Sequence, residues 1–192
     1  TAKTNERARL VNQYMASLLP GRRSSYVARD RLVSGGESNL QLGHRSGALP
    51  MSLELLPGMR VETRVNYSAR IHNGDAFIVC GCYDWGIEVV SEETFFERHG
   101  EIETSDLECF FLIEAPFEYA PLQRVPSQKV KAMRYQLPVE LNYCWTYDRV
   151  VGSNLKRHGI DARKTINGGI PFDASGSAYG TCSRCKTKKD MY

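Results

Sequence analysis

Two cysteines separated by two residues turn both sulfurs toward one point, which is half of a tetrahedral zinc site. Cys182-Ser183-Arg184-Cys185 has that spacing. A closed structural site needs two further ligands. Cys80 with Cys82, on one face of an expected strand, is one source, and Cys144 with His158 is another. The competing reading is a loop carrying two reduced thiols, because no second CxxC or HxxxH completes the set. A redox role fits less well: such a pair normally opens a helix after a strand, and this one precedes a lysine-rich tail. Six cysteines in a chain of 192 residues with an ordinary apolar content do not resemble a disulfide scaffold, so reduced thiols are expected. Zinc is the one cofactor the sequence suggests, with Cys182 and Cys185 as its ligands.

The next candidates are cationic. Arg22, Arg23, Arg29 and Arg31 surround Tyr26, and Arg184, Lys186, Lys188 and Lys189 lie near Tyr192. Arginine and lysine neutralise phosphates, and tyrosine offers a face on which a base stacks. The plain alternative is two solvated charged segments. These clusters belong to a wider sorting of charge. Thr1–Arg31 carries a net +5 and Arg149–Tyr192 a net +6, whereas Asp84–Glu118 holds eleven acids and only Arg98, a net −10. No D-x-D-x-D-G loop turns those acids into a calcium site. Their expected use is complementarity between subunits, with Glu92, Glu93 and Glu97 at the interface, because opposed potentials set register and orientation.

The search for catalytic motifs is negative. The sequence contains no G-x-S-x-G elbow, P-loop, H-E-x-x-H or Rossmann glycine run. His72 and His99 sit where a turn and a helix end explain them. Cys109 or Cys144 with a histidine would be the pair to examine in an enzyme of unrecognised type. Tyr135, Tyr143, Trp145 and Tyr147 read as core aromatics on strands.

These residues must be positioned by a β-rich chain. Thr4 suits an N-cap, and Ala8, Leu10, Val11, Tyr14, Met15, Leu18 and Leu19 recur at helical spacing until Pro20-Gly21. Its broad apolar face must pack on something. Short extended pieces are expected at 25–27 and 51–55, with an exposed loop over 34–39. Met59–Ile71 alternates apolar and polar residues, His72-Asn73-Gly74-Asp75 supplies a turn, and Ala76–Tyr83 returns. A strand over 85–90 follows, then a short helix over 92–99 capped by Ser91, with glutamates in its first turn. Strands are expected at 108–114, 130–137 and 139–147, with a loop from Pro116 to Pro126. Beyond Gly152 the pattern is loop-like.

The fold class is therefore mainly β (α+β): an antiparallel β-sandwich or curled sheet with an N-terminal amphipathic helix and a short helix near 92–99. Its organisation reads as an N-terminal helix and basic arm (1–31), a β-rich body (32–152) and a basic extension (153–192). The leading expectation is a non-enzymatic structural subunit of a large homo-oligomeric assembly, a viral or phage capsid protein built on charge-complementary contacts. The alternative is a zinc-stabilised nucleic-acid-binding module, and the second alternative is an enzyme. A cytoplasmic or in-particle location is expected, because Glu6, Arg7 and Arg9 leave no apolar signal core and no apolar run reaches membrane length.

Overall fold

The computed structural model describes residues 5–34, 49–97, 108–119 and 131–146. Two compact units emerge. One comprises Thr1–Leu18 with Tyr143–Tyr192, and the other runs from Leu19 to Asn142.

In the first unit, α1 (Asn5–Ser17) forms as expected. It does not bury its large side chains. Ala8 and Ala16 are buried, while Leu10, Tyr14, Met15 and Leu18 are exposed. Ala8 and Val11 pack on Cys144. Between them Asn12 clamps the chain: its Oδ1 accepts from the amides of Tyr143 (2.7 Å) and Cys144 (2.6 Å), and its Nδ2 donates to the Cys144 carbonyl (3.1 Å).

The second unit is built from antiparallel sheets. Its elements are β1 (Ser24–Val27), β2 (Arg29–Ser34), β3 (Ser52–Leu55), β4 (Arg60–Thr63), β5 (Ala76–Tyr83), β6 (Gly86–Ser91), α2 (Glu92–Glu97), β7 (Cys109–Ile113), β8 (Ala115–Tyr119), β9 (Lys131–Gln136) and β10 (Val139–Leu141). β1 pairs with β3. The order β10-β4-β5-β6-β7 makes a five-stranded sheet, and β2-β9-β8 a three-stranded one. No closed barrel forms among the described residues. The mainly β class and both helices thus match the sequence reading.

The core follows from period-two patterning. Val79 on β5, Ile87 and Val89 on β6, Leu112 on β7, Val61 on β4 and Val139 on β10 are fully buried, with Met59 and Leu55. Each such burial is worth roughly 1.5–3 kcal/mol relative to exposure. Ser91 caps α2 as its position predicts, its Oγ accepting from the Thr94 amide at 3.2 Å.

Four expected elements differ. The alternating run 59–71 is a strand only over Arg60–Thr63. Residues 64–71 leave the sheet because their polar side chains bond turns instead of facing solvent from a ladder. Asn66 Oδ1 accepts from the Asn73 amide and Ser68 Oγ from the Arg70 amide, while Arg64 reaches across to Glu140 on β10 at 2.7 Å. The turn at 72–75 is nonetheless real, with Gly74 at φ 101° and its amide bonded to Thr63. β10 ends at Leu141 rather than 147, as the following amides of Tyr143 and Cys144 turn to Asn12. Ala115–Tyr119 is a strand where a loop was expected. Pro116 is tolerated because β8 lies at a sheet edge, where its missing N–H breaks no ladder. β2 was not anticipated. Its inward residue is Asp30, whose partner Arg134 lies 104 residues away on β9. That pair is bidentate at 2.8 and 2.7 Å and almost fully buried, and the Tyr119 hydroxyl donates to the same carboxylate at 2.8 Å.

Candidate nucleic-acid interface

The β5–β6 hairpin and the chain entering β1 converge on one place. Arg22, Arg23, Ser24, Ser25, Tyr26, Tyr83 and Asp84 line a cleft of about 510 Å³. Tyr26 fixes it: its hydroxyl donates to the carbonyls of Tyr83 (2.9 Å) and Gly86 (3.2 Å). Burial, and then the neighbouring Cys82, pushes the Tyr26 phenol up to about 12, so it remains a donor at physiological pH. Arg22 is exposed. Arg23 is half-buried and stands at 4.0 Å from the well-exposed Glu54.

Next to the cleft the outer face of the five-stranded sheet carries three aromatic rings. Tyr83 and Trp85 stack with centroids 5.3 Å apart and planes 12° apart, and Phe111 lies 5.5 Å from Trp85. They are strongly exposed, at 41%, 56% and 50%, and Ile113 on the same strand as Phe111 extends the patch. Gly81 makes the arrangement feasible, because a Cβ there would stand 2.9 Å from the Tyr83 ring. Gly86 has no room for one either, since it would meet the Leu112 carbonyl at 2.5 Å. The Tyr83 hydroxyl donates to Glu88 at 3.1 Å, and that bond holds the Tyr83 phenol above its ordinary value. Glu88 itself lies cross-strand from Phe111.

The four N-terminal arginines expected at phosphates are divided between two places. Arg22 and Arg23 are in the cleft. Arg29 and Arg31 line a shallower hollow of about 290 Å³ with Asp30 and Tyr135. Arg29 is engaged there by Glu114, its Nε donating at 3.3 Å. Arg184, Lys186, Lys188 and Lys189 lie outside the described residues, as do Cys182 and Cys185. Among the described residues Cys80, Cys82, Cys109 and Cys144 form no disulfide, and no group of three or more His, Cys, Asp or Glu side chains could hold a metal. Tyr83, Trp85 and Phe111 were not singled out from the sequence. Their signal, two aromatics flanking Asp84 at a hairpin tip and a phenylalanine within an apolar strand, is distinguishable from core only once exposure is known.

Four carboxylates of the acidic run are engaged within the second unit. Glu92 pairs with Arg60 at 2.7 Å and Glu118 with Lys131 at 2.8 Å. Glu108 pairs with Arg70 and Glu114 with Arg29. Glu93 is exposed, and the Glu97 side chain lies outside the described residues. These four pairs join the acidic run to cations from other segments of the unit.

No protein-family model and no curated protein matches this chain. Solved structures do. Bacteroides Pif1 bound to ssDNA superposes with a TM-score of 0.65 at 18% identity, covering 98% of this chain and 38% of that one. A structure of two coordinating Pif1 helicases at forked dsDNA gives 0.64 at 17% identity, covering 98% and 37%. Pif1 helicase from Candida albicans gives 0.60 at 16%, covering 98% and 43%. These matches overturn the expectation of a capsid or other virion structural protein. No helix among the described residues is long and apolar enough to cross a membrane. In fold, this chain is similar to one segment of Pif1 helicases, spanning about two-fifths of their length.

Proposed function

We propose that this chain is a nucleic-acid-binding, helicase-associated domain that grips a single strand. The observation that carries the reading is the contact at Tyr83 between a cleft walled by Arg22 and Arg23 and an exposed stack of Tyr83, Trp85 and Phe111. Phosphates take the guanidinium and serine groups, and unpaired bases take the rings. A cationic track beside aromatic faces is the arrangement single-stranded nucleic acid requires. The likeness to helicases, one of them bound to ssDNA, supports the same class. Zinc rests on the spacing of Cys182 and Cys185 alone, and elemental analysis of the purified chain with a Cys182→Ser control tests it.

Fluorescence anisotropy with a labelled single-stranded oligonucleotide tests the main reading. The wild type is expected to bind, and Arg22→Glu with Arg23→Glu to lose about tenfold or more, with an unchanged circular dichroism spectrum. Absent binding, or binding indifferent to salt, would overturn it.

A further inference from the structure

We infer that a bound single strand runs on from the cleft along the exposed face of β1 and β2 to a second contact, where Arg31 takes a phosphate and Tyr135 a base. The inference rests on the nucleic-acid reading above and gives that reading a path and a length. Both places lie in the second unit. Between them exposure alternates without a break: Ser24, Tyr26, Ala28 and Asp30 are the more buried residues, and Ser25, Val27, Arg29 and Arg31 the exposed ones. A period of two puts the exposed four on one face of an extended run. The junction of the two strands is tied down as well. The Ala28 amide donates to the Met51 carbonyl at 2.8 Å, and Gln136 Nε2, at the end of β9, to the Tyr26 carbonyl at 2.9 Å. Ser25 lines the cleft and Arg31 the hollow. At roughly 3.3 Å per residue they stand about 20 Å apart, which is about six nucleotides at the spacing of a stacked strand.

The hollow has the groups this path needs. β2 pairs with β9 so that Arg29 lies opposite Tyr135 and Arg31 opposite Met133, all on the outward face. Every carboxylate facing this place is already engaged. Asp30 accepts inward from Arg134 and Tyr119, Glu114 holds Arg29, and Glu118, two strands across from Arg31, pairs with Lys131 at 2.8 Å. Arg31 is exposed, and no carboxylate among the described residues pairs with it. Arg31 rather than Arg29 therefore meets the phosphate. A cation beside an aromatic ring repeats, at the far end of the run, the combination found at the cleft.

Anisotropy with single strands of about four and about twelve nucleotides tests the path. The shorter strand fills the cleft and platform, so Arg22 and Arg23 alone set its salt dependence. Arg31→Glu is expected to weaken the longer strand about tenfold and to leave the shorter within about twofold. Tyr135→Thr should weaken the longer strand about fivefold or more, and Tyr135→Phe should not, because the ring stacks without its hydroxyl. Longer strands have more binding registers in every protein alike, so the comparison is between variants. Equal effects on both strands, or none on either, overturn the inference and leave the proposed function standing. If neither strand binds the wild type, the proposed function fails and takes the inference with it. A polyglutamate peptide that binds more tightly than the longer strand, and loses that affinity in Arg31→Glu, also overturns it: the hollow would then serve an acidic protein segment.

Discussion

Tyr83 lies flat over Gly81, stacks on Trp85 and donates to Glu88, so one ring ties the platform together. The close atoms are at the far end of its side chain, which can swing away cheaply. Gly81→Val is therefore expected to displace the ring without unfolding the sheet. Oligonucleotide affinity should fall several-fold and the near-ultraviolet dichroism of the stack should change, with the unfolding midpoint little moved. Retained affinity would show that the ring does not matter. Tyrosine also governs behaviour in alkali. Burial, and then Cys82, pushes the Tyr26 phenol from 10.0 to about 12; burial, and then the bond to Asp30, does the same to Tyr119. Between about 10 and 12 the folded chain holds phenolic protons that the unfolded chain releases. Stability is thus complete below that window and falls as pH rises through it. Urea unfolding across this range should show the decline, and Tyr26→Phe or Tyr119→Phe should flatten it.

Among the elements, the three-stranded sheet is held by something other than apolar burial alone. Asp30 on β2 and Arg134 on β9 face inward with side chains 6% and 1% exposed, and Tyr119 on β8 completes the group, its ring 4.9 Å beneath the guanidinium. Removing one member of such a pair strands the other in a dry site. Arg134→Met should cost about 3 kcal/mol by chemical denaturation. A loss below 1 kcal/mol would mean that solvent reaches Asp30. The pair also explains why β2 was hard to read. In Arg29-Asp30-Arg31-Leu32 the inward positions alternate charge and leucine, which resembles a solvated segment until the partner on β9 is known. In contrast, the Asn-Gly turn and the Ser91 cap were legible, because both depend on neighbours within a few residues.

Across the whole molecule, the net +3 is the sum of two basic ends and an acidic run. Four acids of that run pair, within the second unit, with cations from outside it. Salt should therefore act mainly on binding. Two phosphate contacts predict a slope of roughly −1.4 in log affinity against log salt for a single strand. The Arg22→Ala, Arg23→Ala variant should flatten it toward zero. An unaltered slope would move the phosphate contacts elsewhere, Arg29 and Arg31 being the next candidates.

By itself the sequence determined the class and the local punctuation: a β-rich chain, an N-terminal helix, a capped helix at 92, a turn at 72–75, and strands wherever apolar residues alternate within a core. All of these follow from periodicity and from residues close in the chain. Only the tertiary structure decided which aromatics are exposed, which acids are neutralised and where the arginines meet a platform. Those ion pairs join residues from 13 to 104 positions apart, such as Glu118 with Lys131 or Asp30 with Arg134. Periodicity carries no information about pairings at that range; strand order and register create them.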